Sequence, residues 1–292
     1  MSGRPDTRAL RRKDRKLRMI TESTKTVTLN NGVEMPLVGL GTWDLRGNEC
    51  AETVRTAIGL GYRLIDTAQM YGNEKEVGEG ILMSGVPREE LFVTTKLYRI
   101  SNSYGKAKRG ILESLDRLGL SYVDLLLLHE PYPQGPEMYL ALEEALQEGK
   151  TRAIGISNYN EKWYRQFLSS CKTVPAVNQL ETHVFFQKWG FQEEMRQRTT
   201  AMQAWSPLAQ GIGNVAGDRT LAQIGEKYHK SAAQVALRFL VQRGISVIPK
   251  SRRAERLSEN LDLFDFELSA EDVMRIRGMD RNRTLFPWTE EF

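Results

Sequence analysis

The sequence predicts a single α/β domain, a (β/α)8 TIM barrel that follows an N-terminal β-hairpin and a basic N-terminal extension. Eight short apolar runs alternate with amphipathic helical segments from residue 37 onward. No linker or change in composition divides residues 25–292. This alternation is typical of parallel α/β folds, and α/β barrels of about 250 residues are common. A doubly wound sheet uses the same alternation and is the alternative, although the number of strands favours the barrel.

The extension at residues 1–24 holds eight Lys or Arg residues, three Asp or Glu residues and few large apolar side chains. This composition predicts disorder, because too little apolar surface is present to bury. The whole chain has 41 Lys or Arg and 37 Asp or Glu residues, so the excess positive charge belongs to the extension. The extension is either a solvated tail or a contact for nucleic acid or an anionic surface. We do not expect the barrel to bind nucleic acid.

The first predicted element is the β-hairpin. Apolar and polar residues alternate on both sides of the pair Asn31-Gly32, with the apolar positions at Val27, Leu29, Val33 and Met35. The Asn-Gly pair favours a two-residue type I′ turn, because that turn needs a positive φ at both central positions. We expect the hairpin to cover one end of the barrel.

Strands and helices then alternate along the chain. The predicted strands are Leu37–Thr42, Arg63–Ala68, Leu91–Leu97, Val123–His129, Arg152–Asn158, Ala176–Glu181, Ala201–Ser206 and Ser246–Lys250. The predicted helices are Cys50–Leu60, Glu74–Met83, Tyr104–Leu118, Met138–Glu148, Glu161–Ser169, Phe191–Arg198, Leu221–Arg243, Arg253–Asn260 and Ala270–Gly278. The long segment from Leu221 is expected to break near Lys230. Several of these helices end at a glycine, which is a common C-terminal cap.

Composition argues against several classes of protein. The apolar runs are far shorter than the roughly 20 residues of a membrane-spanning helix, and the N-terminus lacks the apolar stretch of a secretory signal. Two cysteines, Cys50 and Cys171, cannot build a disulfide framework, and no Cys/His pattern has metal-ligand spacing. We therefore expect a cytoplasmic protein without a metal site or a membrane partner. The sequence does not determine the oligomeric state, for which a monomer is our expectation.

Polar residues at the downstream ends of the strands are the candidate catalytic residues, because barrel active sites lie there. Asp66, Lys96 and His129 end three consecutive predicted strands, and Tyr71 follows Asp66 closely. A lysine ammonium beside a phenol is expected to lower the phenol pKa from its usual value of about 10. A carboxylate can fix the ammonium, and a neutral histidine can donate a hydrogen bond to a developing oxyanion. This set of groups suits reduction of a carbonyl.

The hydride for such a reduction must come from a cofactor, since no side chain carries one. The glycines of Gly39-Leu40-Gly41 and Gly211-Ile212-Gly213 do not complete a dinucleotide-binding fingerprint and are interpreted as strand-end and loop glycines. Barrels often bind phosphate after their seventh and eighth strands. Lys250, Ser251 and Arg256 offer charge-assisted donors there, at the entry to a helix.

These motifs resemble those of the aldo-keto reductase family, above all its small bacterial members that act on aldehydes, dicarbonyls and keto-sugars. The resemblance runs from about residue 26 to about residue 285. Asp66 and Tyr71 lie in an Asp-Thr-Ala…Tyr-Gly-Asn-Glu motif, Lys96 in Thr-Lys, and His129 in Leu-Leu-His. The resemblance implies NADPH-dependent reduction of aldehydes or ketones with Tyr71 as proton donor. It also implies that Lys96 and Asp66 adjust Tyr71, and that His129 orients a small carbonyl substrate.

The resemblance also implies a set of cofactor contacts. Ser157 and Asn158 of the Gly-x-Ser-Asn motif would hold the nicotinamide carboxamide beside Gln179. Trp205 would stack on the nicotinamide ring, and the following Ser-Pro-Leu motif would add Ser206 and Leu208. The Ile-Pro-Lys-Ser…Arg-x-x-Glu-Asn motif implies contacts to the 2′-phosphate and adenine from Lys250, Ser251, Arg256, Glu259 and Asn260. This set is similar to that of members that prefer NADPH to NADH.

Departures from the family pattern concern mainly the substrate pocket. Glu130 follows His129 where many members have tryptophan, so a carboxylate stands at a usually apolar wall. Trp205 replaces the more usual tyrosine, and His183, which lacks the common following proline, is interpreted as structural. Trp43 is a second candidate for the pocket wall. The short segment Pro131–Glu137 and the short C-terminal segment Asn282–Phe292 together predict a relatively open substrate site.

Two other functions remain compatible with the sequence. A nucleotide-binding regulatory or structural barrel with little turnover would keep the same motifs, and turnover with simple aldehydes would distinguish an enzyme from it. A phosphate-binding isomerase or aldolase would use Lys96 as a Schiff-base amine. The presence of Tyr71 and of the basic cluster at residues 250–260 argues against an isomerase or aldolase.

Overall fold

The computed structural model describes residues 25–290, so the predicted disorder of the extension at residues 1–24 concerns residues outside this range. Strands β1 (Thr26–Thr28) and β2 (Glu34–Pro36) form an antiparallel hairpin. The barrel strands are β3 (Gly39–Gly41), β4 (Leu64–Asp66), β5 (Phe92–Leu97), β6 (Val123–Leu128), β7 (Thr151–Ser157), β8 (Val177–Glu181), β9 (Ala201–Trp205) and β10 (Ser246–Val247).

The helices follow the strands in alternation. They are α1 (Gly47–Gly59), α2 (Glu74–Ser84), α3 (Tyr104–Leu118), α4 (Gly135–Gln147), α5 (Glu161–Leu168), α6 (Trp189–Gln197), α7 (Arg219–Glu226), α8 (Ala232–Gln242), α9 (Ala254–Leu261) and α10 (Ala270–Arg277). The break expected near Lys230 is confirmed. Ser231 begins α8 there, and its side chain and that of Gln234 cap each other's backbone N–H groups, so the helix starts anew.

The eight parallel strands close into a barrel, as the sequence predicts. They are paired in chain order from β3 to β10. A parallel bridge between Val38 and Val247 joins the first barrel strand to the last. A doubly wound sheet would have two open edges, so the closure excludes it. Every residue of β5 and β6 is buried, because one face of each strand lies in the barrel interior and helices cover the other.

The hairpin is present, but its predicted two-residue turn is wrong. Thr28 pairs with Glu34, and Leu29 N–H donates to the Val33 carbonyl at 2.8 Å, which leaves a three-residue loop. Gly32 has a φ of +86°, whereas the preceding Asn31 does not have a positive φ. A three-residue loop with glycine in the left-handed region is the next commonest hairpin connection. The Asn-Gly pair therefore predicts the hairpin correctly but a loop that is one residue too short.

The hairpin covers the end of the barrel opposite the carboxyl ends of its strands. Val27 and Met35 are buried, and Ser246 at the start of β10 donates its hydroxyl to the Pro36 carbonyl at 2.9 Å. Asn31 donates to the Arg152 carbonyl near the start of β7 at 2.7 Å. The hairpin therefore leaves uncovered the end of the barrel where the carboxyl ends of the strands lie, which is where barrel active sites are found.

Gly41 has a packing role rather than one in a nucleotide fingerprint. A Cβ atom at this position would lie 2.6 Å from the Ile248 carbonyl oxygen, closer than real Cβ contacts allow. The close approach lets the Gly41 N–H bond the Pro249 carbonyl at 3.3 Å beside the barrel closure. Within residues 25–290, no helix is long and apolar enough to span a membrane, and no group of three or more potential metal ligands occurs.

Candidate active site

The predicted catalytic residues meet at the carboxyl end of the barrel. Asp66 ends β4, Lys96 lies near the end of β5, and His129 directly follows β6. Because these strands are neighbours and parallel, their ends bring the three side chains together. Tyr71 closes a 3-10 turn at Gln69–Tyr71, after which Gly72 takes a φ of +63°.

A short hydrogen-bond network holds the loop that carries Tyr71. The Thr67 hydroxyl donates to Asn73 Oδ1 at 2.8 Å, and Asn73 Nδ2 donates to the Thr42 and Leu45 carbonyls at 2.9 and 3.1 Å. Asn73 is fully buried. The loop after β4 is thereby fixed to the loop after β3, and the backbone that carries Tyr71 is held in place.

Lys96 is the centre of the cluster. Its Nζ atom donates to Asp66 Oδ1 at 2.6 Å, to the Thr67 carbonyl at 3.0 Å and to the Tyr71 hydroxyl at 3.1 Å. An ammonium group has three donors, so all of them are used. The side chains of Lys96 and Asp66 are 0% and 1% exposed. This buried ion pair is charged and fully hydrogen-bonded, which is the condition under which burial of charge is tolerated.

Asp66 is held from its second oxygen as well. Gln179 at the end of β8 donates Nε2 to Asp66 Oδ2 at 2.7 Å, and the same group donates to Gln203 Oε1 at 2.7 Å. The cluster of Asp66, Lys96 and Tyr71 therefore continues as a polar network across the interior of the barrel. Gln179, which the sequence assigns to cofactor contacts, also holds the Asp66 carboxylate.

The expected lowering of the Tyr71 pKa is wrong as a net effect. Burial raises the pKa of the Tyr71 phenol above its usual value, and Asp66 raises it further. Lys96 lowers this pKa, as expected, but does not cancel the effect of burial. Burial alone would lower the pKa of Lys96, yet Asp66 and Tyr71 raise it. Tyr71 therefore stays protonated through the neutral range, and Lys96 stays charged.

His129 is the neutral member of the cluster. Burial and the nearby Lys96 ammonium hold the pKa of His129 well below its usual value. The ring centroid lies 5.6 Å from that of Tyr71, with the two rings edge to face. Its Nδ1 atom is buried and has no hydrogen-bond partner within residues 25–290. Both His129 and Tyr71 face a common cavity, so a small molecule can touch both side chains.

This cavity has a volume of about 890 Å³, within the range of small-molecule and cofactor sites. Most of the predicted site residues line it: Trp43, Asp66, Tyr71, His129, Glu130, Ser157, Asn158, Gln179, Trp205, Ser206, Leu208 and Lys250. Lys96 does not line the cavity and reaches it through Asp66 and Tyr71. The remaining candidates lie outside its wall: Ser251, Arg256, Glu259 and Asn260.

The wall after β7 and β9 offers polar atoms to a bound ring. Ser157 donates its hydroxyl to the Gln179 carbonyl at 3.0 Å, and the Trp205 indole N–H donates to Asn158 Oδ1 at 2.8 Å. Asn158 Nδ2 donates in turn to the His129 carbonyl at 3.1 Å. The Ser206 hydroxyl is buried and lacks a partner within residues 25–290. A buried hydroxyl without a partner in a cavity wall fits a ligand with polar groups.

The basic cluster after β10 is built differently, from exposed ion pairs. Lys250 Nζ lies 3.4 Å from Asp44 Oδ2, and Arg252 lies 3.3 Å from the same oxygen. Arg256 Nη1 lies 2.7 Å from Glu259 Oε2. Residues 250–256 include four basic side chains, a composition that suits the binding of an anion. Each charge that an anion would use is paired with a carboxylate in this structure.

Sequence analysis missed two aromatic residues of the cavity wall. The ring of Trp288 stacks on that of Trp205 with centroids 5.7 Å apart and planes 15° apart, and Phe286 lies 5.0 Å from Trp205. The short C-terminal segment therefore covers part of the cavity, against the expectation of a relatively open site. The aromatic residues of this segment could have indicated a buried contact, but no local pattern in the sequence predicts which strand end they contact.

Glu181 at the end of β8 ties this segment down. Its buried carboxylate accepts the Leu285 N–H at 2.9 Å and the Thr284 hydroxyl. The ring of His183, which is fully buried, lies 3.0 Å from the same carboxylate. His183 is absent from the cavity wall, in agreement with its structural interpretation.

Comparison with known proteins agrees with this geometry. The sequence model of the aldo/keto reductase family matches residues 37–281. A glyoxal reductase of Bacillus subtilis is 42% identical over 275 residues, which cover 94% of this chain and 99% of that protein. A 9,11-endoperoxide prostaglandin H2 reductase of Trypanosoma cruzi is also 42% identical, over 277 residues that cover 91% of this chain and 97% of that protein.

Solved structures show the same fold. The crystal structure of an aldo-keto reductase from Bombyx mori in complex with NADP superposes with a TM-score of 0.84 at 34% identity. The match covers 89% of this chain and 94% of that one. The residues that the family model matches include all eight strands of the barrel.

Proposed function

This chain belongs to the aldo/keto reductase family and is an oxidoreductase, and on that premise we propose that it reduces aldehydes or ketones to alcohols with NADPH. The observation that carries the proposal is the Lys96 ammonium, bound at once to Asp66 and to the Tyr71 hydroxyl beneath a cavity. This arrangement provides a proton donor with a cation behind it, which carbonyl reduction needs on the oxygen side.

The chemistry that NADPH would supply when bound in the cavity is a hydride for the carbonyl carbon. The electron pair of the C–O π bond moves to oxygen, and the Tyr71 hydroxyl gives its proton to that oxygen. A phenolate remains, and the Lys96 ammonium at 3.1 Å stabilises it. The raised pKa of Tyr71 is compatible with this role, because an alkoxide is a far stronger base than a phenolate.

His129 and Asp66 have positioning roles in this proposal. Neutral His129 donates one ring N–H to the substrate oxygen as negative charge develops there, and so fixes the carbonyl beside Tyr71. Asp66 holds the ammonium in place and balances its charge in a site that excludes most water. Neither group needs to change its protonation state during the reduction.

The cofactor contacts form the second part of the proposal. We assign the nicotinamide carboxamide to Ser157, Asn158 and Gln179, and the stacking face to Trp205, with Ser206 and Leu208 beside it. The buried Ser206 hydroxyl without a protein partner supports a polar ligand at this place. The 2′-phosphate and the adenine are assigned to the cluster after β10: Lys250, Ser251, Arg256, Glu259 and Asn260. The positive charge of this cluster is the reason to propose NADPH rather than NADH.

The test is NADPH oxidation, followed by absorbance, with a panel of aldehydes, α-dicarbonyls, keto-sugars and quinones. We expect turnover by the wild-type protein and a loss of about a thousandfold in kcat for Tyr71→Phe, with NADPH binding unchanged. Tyr104→Phe is the matched control, because this exposed phenol bonds Glu144 and does not line the cavity. Near-wild-type turnover by Tyr71→Phe would refute the assignment of the proton donor.

The pH dependence of kcat/KM is a second test of Tyr71 as the proton donor. Because burial raises the pKa of Tyr71, its proton remains available well beyond neutral pH. We expect kcat/KM for reduction to be level from about pH 7 to pH 9 and to fall only above about pH 10, where a phenol ionises. A decline centred near pH 7 would point to another donor.

A further inference from the structure

The charges of the cavity wall are unevenly distributed. The wall holds three carboxylates, Asp44, Asp66 and Glu130, and Lys250 is the one Lys or Arg among its residues in the described range. Asp66 is neutralised by Lys96, and Asp44 is paired with Lys250 and Arg252. Glu130 forms no ion pair within residues 25–290. The end of the cavity beside His129 therefore carries one carboxylate that no ion pair in the described residues neutralises.

Glu130 stands where a substrate substituent must pass. It directly follows His129, and both residues line the cavity together with Tyr71. A carbonyl held between the Tyr71 hydroxyl and the His129 ring leaves its substituent along the same wall. Glu130 is half-buried, so its carboxylate is partly desolvated and interacts more strongly with another charge than it would in bulk water.

The surroundings of Glu130 are aromatic rather than basic. The Tyr98 ring lies 6.2 Å from the His129 ring and 6.5 Å from the Tyr132 ring. Three more aromatic residues, Trp43, Trp205 and Trp288, line the same cavity. Aromatic faces beside a carboxylate favour cations and hydrogen-bond donors. Arg99 is the basic group that acts on Glu130, but its guanidinium lies over the Tyr98 ring, 5.2 Å from the centroid, and Arg99 is not part of the cavity wall.

We propose that Glu130 selects the substrate by charge: carbonyl compounds with a cationic or hydroxyl-bearing substituent are accepted, and those with a carboxylate are excluded. This inference rests on the proposed function and names the substrate class of the same site. Like charges about 8 Å apart in a partly dry cavity change binding by on the order of tenfold. Oxo acids are therefore poor substrates, and amino or hydroxy aldehydes and ketones are good ones.

The selection depends on pH with a definite sign. Burial raises the pKa of Glu130 above its usual value, and the Tyr132 phenol and the Arg99 guanidinium offset part of this rise. His129, next to Glu130 in the chain, stays neutral because its pKa is lowered, and Tyr132 stays protonated because burial raises its pKa. The discrimination against anions is complete above the pKa of Glu130 and weakens as pH falls through it. Measurements at about pH 8 keep the carboxylate charged.

The experiment compares three para-substituted benzaldehydes of similar size, with carboxylate, hydroxymethyl and trimethylammonium substituents. The kcat/KM of each is measured for the wild-type protein and for Glu130→Gln, which keeps the shape of the side chain and removes its charge. We expect the ratio of cationic to anionic substrate to fall about tenfold in Glu130→Gln, with little change for the hydroxymethyl compound. Comparing variants on the same substrates cancels their different intrinsic reactivities.

Two further variants complete the test. Glu130→Asp keeps the charge and should keep most of the discrimination. Glu89→Gln removes one exposed charge just before β5, at the opposite end of the barrel, and should leave the ratio unchanged. An unchanged ratio in Glu130→Gln, with normal turnover of the hydroxymethyl compound, would overturn the charge selection alone. Absence of turnover with all three aldehydes in the wild-type protein would instead count against the proposed function.

Discussion

Two clusters of charged residues lie at the same end of the barrel and are built in opposite ways. The cluster proposed to be catalytic is interior: Lys96 is 0% exposed and binds three protein groups. The basic cluster after β10 is at the surface, where Lys250 is 34% exposed and lies 3.4 Å from one carboxylate. The first cluster is complete without any ligand. The second is held by ion pairs that a bound anion must replace.

The difference in burial decides what each pair contributes to stability. Removal of one partner of a buried pair leaves an uncompensated charge, which costs about 3–5 kcal/mol. Exposed pairs contribute about 0–1 kcal/mol, because water and salt screen them. The interior cluster is therefore part of the fold as well as of the site. The surface cluster can be changed with little effect on the fold, and its role in binding can be measured separately.

The largest expected effect comes from breaking the interior cluster. Lys96→Met removes the ammonium and leaves Asp66 buried with Gln179 as its remaining side-chain donor. We expect a loss of about 3–5 kcal/mol in the free energy of unfolding, measured by urea denaturation, and loss of carbonyl reduction.

Lys75→Met is the matched control, since Lys75 is 75% exposed and lies 3.8 Å from Glu79. This substitution should change the free energy of unfolding by less than about 0.5 kcal/mol. Equal costs for the two variants would show that the Lys96–Asp66 pair is not buried as described, and the contrast between the clusters would fail.

The contrast also explains how far the sequence could predict this molecule. Strand ends are local features, and the closed barrel brings Asp66, Lys96 and His129 together whatever the details of their side chains. Burial is a property of the whole fold. The sequence therefore predicted correctly that Lys96 lowers the pKa of Tyr71, but it could not predict that burial raises this pKa by more. The N-terminal hairpin shows the same limit, because the register of a turn depends on the pairing of its strands.

Contacts between distant segments were the least predictable part of the site. Trp288 meets Trp205 because Glu181 binds the backbone of the C-terminal segment. Asp44 meets Lys250 because β3 and β10 are joined by closure of the barrel. Neither pair is marked by spacing or periodicity, since each depends on where two remote parts of the chain cross. Resemblance to a family identifies the residues of a motif, but it does not predict which residues from remote segments contact them.

An intermediate effect is expected from the surface cluster. Arg256→Ala removes a guanidinium proposed to bind the 2′-phosphate, so KM for NADPH should rise about tenfold while kcat stays unchanged. KM for NADH should stay the same, because NADH lacks that phosphate. Arg275→Ala, at an exposed side chain of α10 that bonds Gln223, is the control. A similar loss with both cofactors would mean that Arg256 acts on the fold of α9 rather than on the phosphate.

The smallest effect should come from Asp44→Asn, and it sharpens the comparison most. Asp44 pairs with Lys250 and Arg252, so in our account its carboxylate competes with the 2′-phosphate for these side chains. Asparagine tolerates the φ of +62° at this position, so the loop should keep its conformation. We expect the Kd for NADPH at low salt to fall about two- to fivefold, the range of an exposed ion pair. The gain should disappear in about 0.5 M KCl, where the screening length is only a few ångströms.

Glu52→Gln removes an equal charge from the exposed pair with Arg55 and should have no effect on this Kd. Weaker NADPH binding by Asp44→Asn would show the opposite, that the carboxylate orients Lys250 for the phosphate and that the surface cluster, like the interior one, is organised before its ligand arrives.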